Sequence, residues 1–203
     1  MSITKAGVIA FCNKAWQSSE ASDTTEFDAA LQQCLDDLSK LPILRARDDT
    51  QDLEAGDEAV AFPTGCLPGG LISMSLTDAA GVSYPPLLAL PDGLRQYRQY
   101  RDSAAAAGRP EYYVPGDDDR WLIWPLCNAD YDVKLEYYRT HPQDLATILF
   151  PDACRQAIYT GTVFFEAVLR NNKEYQATWA PLYAREIGDL AAMYPGEPFG
   201  AYP

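Results

Sequence analysis

Histidine is nearly absent from this chain: His141 is the only one in 203 residues. Zinc sites and acid–base machinery working near neutral pH lean on imidazole, so both chemistries start here with almost no material. Basic residues are scarce as well. Lys and Arg number 16 against 29 Asp and Glu, which leaves a net charge of −13. A surface of that sign is not expected to coat a nucleic acid, which demands clustered Lys and Arg at its phosphates, and no polybasic segment exists to hold an anionic membrane. No run approaches the roughly 18 apolar residues of a transmembrane helix. The amino-terminal "AGVIAFC" is cut short by Asn13 and Lys14, which makes a poor signal peptide. Pairing signals for cysteine are missing too. Cys12, Cys34, Cys66, Cys127 and Cys154 are odd in number and contain no CxxC motif. They are expected to be reduced thiols packed as small apolar groups in a cytosol-made protein.

The usual site patterns do not assemble either. His141 precedes Pro142 just beyond a strand-like run, a position expected on a surface loop. The Asp117–Asp119 triplet lacks the alternating ligands, central glycine and terminal glutamate of an EF-hand, and it reads as a turn. "PTGCLPGG" has neither the lysine nor the following helix of a phosphate-cradling loop. No catalytic residue, cofactor or metal is expected, and the chain is not expected to be an enzyme. A small acidic hydrolase using two carboxylates is the rival reading, since 29 acids bring some pairs together by chance. A sugar-binding module stacking Trp121, Trp124 or Tyr138 on its ligand is another.

What the chain does have is apolar material: 47% of its residues, enough for a globular core. Helical spacing recurs at both ends. Val8, Cys12, Ala15 and Trp16 form one stripe; Phe27, Leu31, Cys34, Leu35 and Leu38 form a second, opened by the Asp23 and Glu26 capping pair and stopped by Pro42. Ala157, Ile158, Gly161, Phe165 and Val168 follow Pro151, with small residues that allow close helix approach, and a last stripe runs from Trp179 to Tyr194. Between them the texture is of short β-like runs punctuated by glycine and proline, with one helix over "DGLRQYRQYRDSAAAA". The segment from 42 to 58 reads as a loop. "RWLIWPL" and "YDVKLEYYR" read as strands of an antiparallel hairpin, the second alternating Tyr131, Val133, Leu135 and Tyr137 against polar neighbours. The expected fold is α+β: a four-helix bundle from residues 1–42 and 143–194, a central antiparallel β insertion with one short helix over 43–142, and an extended tail over 195–203.

Two features stand out as candidate interfaces. "RQYRQYR" places Arg95, Arg98 and Arg101 at three-residue steps on roughly one helix face, with Tyr97 and Tyr100 alongside. It is the one concentrated basic patch of an acidic chain, open to three readings: a solvated helix face, a protein contact, which Arg and Tyr suit, or direct nucleic-acid binding. The stretch from 109 to 139 holds five tyrosines, two tryptophans and the acidic turn Asp117, Asp118 and Asp119. Trp124 and Tyr138 are expected to exceed what one small core can cover. In the tail, Tyr194, Phe199 and Tyr202 are costly to leave in water and suit docking onto a partner.

The order of these motifs resembles that of the head-to-tail adaptor (connector) proteins of tailed bacteriophages. Gly108, Pro110, Tyr112 and Tyr113 correspond to a G-x-P-x-Y-Y segment. A short strand ending in proline (Trp121 to Pro125), an alternating strand closing in Tyr-Tyr-Arg (Tyr131 to Arg139) and a helix over Pro151 to Arg170 follow. The likeness covers roughly residues 56 to 194, and departs in a longer loop at 42–58 and in the carboxyl-terminal tail. It implies a non-enzymatic virion protein at the capsid–tail junction, made in the host bacterial cytoplasm. Its partners would be further copies in a ring, typically dodecameric, the portal protein above and a tail or nozzle protein below. DNA would pass through the channel without specific binding, and no membrane is involved. Another neck protein, such as a stopper or tail-completion protein, is the alternative within the same setting.

Overall fold

The computed structural model of the chain describes residues 2–16, 24–103 and 107–195. These form two compact units: Met1–Leu44 with Arg139–Pro203, and Arg45–Tyr138.

The first unit is helical. It contains α1 (Lys5–Ala15), α2 (Thr24–Leu38), α4 (Arg155–Leu169) and α5 (Lys173–Met193). The Thr4 hydroxyl caps α1 by accepting from Gly7 N, and the Asn172 side chain caps α5 by accepting from Tyr175 N. The apolar stripe of α2 is buried in full, from Phe27 to Leu38. The closest approach in this core is a three-helix junction at Gly161 of α4. A Cβ there would lie 2.5 Å from Cys34 Sγ of α2 and 2.6 Å from the Tyr183 ring of α5. Cys34 directs its thiol at the Ala157 and Ile158 carbonyls, and Tyr183 donates its hydroxyl to Asp37 at 2.8 Å. Helix α1 is fixed by aromatic contacts. The Trp16 indole at its carboxyl end donates to the fully buried Glu166 at 2.8 Å and stacks on Tyr175 at 4.0 Å.

The second unit carries the strands. A three-stranded sheet has the order β1–β9–β3, from β1 (Arg45–Leu53), β9 (Tyr131–Arg139) and β3 (Cys66–Asp78). A four-stranded sheet runs β2–β7–β6–β4, from β2 (Ala59–Ala61), β7 (Arg120–Trp124), β6 (Tyr112–Pro115) and β4 (Leu88–Ala89). A two-stranded piece pairs β5 (Ala107–Gly108) with β8 (Leu126–Cys127). Helix α3 (Gly93–Ser103) packs against β6. The alternation of β9 places Tyr131, Val133, Leu135 and Tyr137 in the main core with Leu53, Met74, Leu76, Trp121 and Ile123.

Four expectations need correction. The chain is α+β, but it is not a four-helix bundle with an antiparallel insertion. Five helices and nine strands in three sheets are present among the described residues, and two strand pairs, β4–β6 and β5–β8, are parallel. In the helical unit, packing is organised about α4, which α2 and α5 meet at Gly161, instead of four helices sharing one central seam. Strand β9 does not pair with β7: it lies between β1 and β3, while β7 pairs with β6 and β2. The stretch expected as a loop at 42–58 contains β1, antiparallel to β9 with a register shift between Asp48 and Gln51. Asp48 holds that irregularity through hydrogen bonds from the Gln51 side chain and from the amide and hydroxyl of Thr50, contacts that also keep its carboxyl below the usual range. Last, His141 is not on the surface. It is 2% exposed, accepts from Leu149 N at Nε2 (3.1 Å), contacts the Pro142 carbonyl at Nδ1 (2.7 Å) and has its own amide held by Ser39 Oγ. The Asp23 half of the predicted capping pair lies outside the described residues.

Two outcomes follow from this packing. Gly161→Ala should lower stability by about 1–3 kcal/mol in denaturant unfolding, because the added methyl must push apart Cys34 and Tyr183. Burial lowers the pKa of His141 below 6.5, with Arg139 also lowering it and Asp36 opposing. A depressed folded-state pKa contributes stability that is whole above the unfolded value and lost as pH falls through the folded one. Stability should therefore decline below about pH 6.5, and urea titrations of His141→Asn should show a shallower decline over that window.

Candidate functional site

Helix α3 and the strands beside it carry most of the predicted interface residues, and the physics of a three-residue repeat explains where each goes. A helix turns about 100° per residue, so every three-residue step falls about 60° short of a full turn. The arginines consequently wind around the helix. Arg95 and Arg98 are exposed and have no ion pair among the described residues, whereas Arg101 swings back to the body and pairs with Glu58 at 3.0 Å. Tyr97 points the other way. It is 2% exposed and seals a small core with Leu90 and Val114, against Leu94, Tyr112, Leu122 and Trp124. Its hydroxyl is buried without a hydrogen-bond partner, so the ring and not the oxygen anchors the helix. Tyr100 is 37% exposed and lies near-parallel to Trp124, with ring centroids 6.1 Å apart.

The acidic turn is solvent-facing. Asp117, Asp118 and Asp119 are all exposed, Asp118 pairs with Arg120 at 2.6 Å, and Asp119 adopts a left-handed φ of 50° while its carbonyl accepts from Phe62 N. The aromatic excess is largely taken up inside the unit. Trp121, Tyr131 and Tyr137 are buried, and Trp124 and Tyr138 are half-buried, the latter beneath the Arg45 guanidinium. Exposed apolar side chains lie elsewhere in this unit, at Leu88 (64%), Val82 (51%) and Ile72 (39%). Tyr194 is half-buried and packs on the helical core, while Phe199 and Tyr202 fall outside the described residues.

A feature that sequence reasoning missed lies along β1 and β9. Asp52, Glu54, Asp130 and Asp132 line a cavity of about 290 Å³ together with Ala79 and Tyr131. The density of acids in "QDLEAGDE" was visible, but the strand register that sets Asp52 opposite Asp132 was not. The cysteines offer no nucleophile. Burial pushes the Cys12 thiol up to about 12 and those of Cys66, Cys127 and Cys154 to about 11, which keeps them protonated near neutral pH. No helix among the described residues is long and apolar enough to cross a membrane. The arrangement as a whole is one of exposed charged and apolar side chains on α3, the strands and their connecting loops.

A family model described as SU10 adaptor protein matches residues 8–197. No curated protein matches the chain.

The anchoring of α3 by the Tyr97 ring has a direct check. Tyr97→Phe should leave thermal stability unchanged or raise it by up to about 1 kcal/mol, because it deletes an unpartnered buried hydroxyl. Trp121→Ala, which empties the main core, should cost about 3–5 kcal/mol.

Proposed function

Because this chain belongs to the SU10 adaptor protein family, we propose that it serves a tailed bacteriophage as a structural head-to-tail adaptor in the virion. In its finer form, copies close into a dodecameric ring beneath the portal, extend the DNA channel and offer a docking surface to the next tail component. The observation that carries this reading is the family match along nearly the whole chain. The surface is in keeping with it. Arg95 and Arg98 stand exposed on an otherwise acidic protein, and Leu88 and Val82 leave apolar area for neighbours to cover. A channel built from chains of charge −13 repels DNA electrostatically, which lets it slide without sticking. This role needs no catalytic centre and no cofactor.

Electron microscopy of the full chain mixed with the cognate portal protein tests the proposal. A ring stacked coaxially on the portal is the expected result; a chain that stays monomeric beside unoccupied portals would overturn it. Deleting residues 195 to 203 should reduce retention on portal-containing heads while the circular dichroism of the monomer stays unchanged, if the tail with Phe199 and Tyr202 is the anchor.

A further inference from the structure

In the ladder between β1 and β9, Arg47 faces Glu136, a pairing of opposite charges. Five residues further along β1, Asp52 faces Asp132, and like charges directly opposite on antiparallel strands destabilise the pair. Both are exposed, and Glu54 and Asp130 share the same cavity. None of the four carboxylates has an ion pair among the described residues, and Asp130 alone is engaged, by the Ala55 amide at 3.2 Å. The fold thus gathers four carboxylates at one place with no ion pair to any of them among the described residues. On the same unit, the outer face of α3 presents Arg95 and Arg98, three residues apart and equally without an ion pair. Two patches of opposite sign on one compact unit suit a head-to-tail contact, in which the cations of one copy meet the acids of the next.

We propose that the Arg95–Arg98 face of α3 docks on the Asp52, Glu54, Asp130 and Asp132 cleft of a second copy of this chain. The inference rests on the adaptor reading and deepens it by naming the contact that joins adjacent subunits. The exposed Asp117–Asp119 turn is the competing acceptor, but Asp118 there is already tied to Arg120. The cleft gathers four carboxylates around a concavity of about 290 Å³ that can admit a guanidinium. Val82 adds exposed apolar area close in sequence to Ala79 on the cleft wall, and Tyr100 does so on the helix that carries the arginines.

Charge reversal decides the matter, read by electron microscopy as the fraction of cognate portals that carry a closed ring over rising concentration of the full chain at physiological ionic strength, with circular dichroism to check folding. Arg95→Glu with Arg98→Glu, or Asp52→Lys with Asp132→Lys, should each weaken self-association by about tenfold or more. An equimolar mixture of the two doubly substituted chains should restore it, because each then offers the other two complementary faces. Single Asp132→Asn should raise the unfolding midpoint of the monomer by removing the like-charge pair. Wild-type self-association that neither reversal weakens, or that only Asp117→Lys with Asp119→Lys weakens, overturns this contact. None of those results touches the adaptor role, which is judged separately by the ring on the portal.

Discussion

With 29 acidic residues against 16 basic ones, the chain cannot neutralise its own charge, and folding decides where the excess is placed. Several cations are spent locally. Arg101 reaches Glu58, Arg120 reaches Asp118, Arg170 lies between Glu26 and Glu166, and Lys5 meets Asp28. Exposed pairs of this kind contribute little stability each. Their larger effect is to distribute charge, leaving an acidic cleft along β1 and β9 and a basic face on α3. The apolar cores supply the stability. One holds Trp121, Ile123 and the inward face of β9, another holds the three-helix junction at Gly161.

Local structure was largely legible in the sequence because local structure is written in local spacing. The α2 stripe from Phe27 to Leu38 and the two-residue alternation of β9 each follow from a few neighbouring residues. The small residues of α4 were recognisable as a place for close approach, and Gly161 is where that approach occurs. What joins distant elements was not legible. Nothing in "YDVKLEYYR" says that its partners are β1 and β3 instead of β7, and nothing in four amphipathic helices says that three of them meet at one glycine. The bundle expectation failed at that level. Strand β1 escaped notice because "RARDDTQDL" is too charged to show an apolar period, its burial being supplied only at Leu53.

The candidate surface was half visible for a related reason. Composition alone singles out "RQYRQYR", but the 60° slip per three residues leaves Arg95 and Arg98 outward and carries Arg101 round to Glu58, while Tyr97 lies in the core. His141 shows the converse: its flanking proline reads as loop, yet the backbone it sits on is sealed by Ser39, Leu149 and Phe150. Opposed acids such as Asp52 and Asp132 need a register before they mean anything. Sequence gave their number, and only pairing gave their positions.

The irregularity at Asp48 to Gln51 has a consequence for what can join this edge of the sheet. Strand β1 is the outer strand of its sheet, and an open edge invites another chain to add itself as one more strand. Here the ladder is broken midway, the edge bristles with charge, and Asp48 has already claimed the Thr50 amide for itself. Backbone pairing along that border is thereby disfavoured, and what β1 offers its surroundings is a row of exposed side chains in place of a continuous ladder.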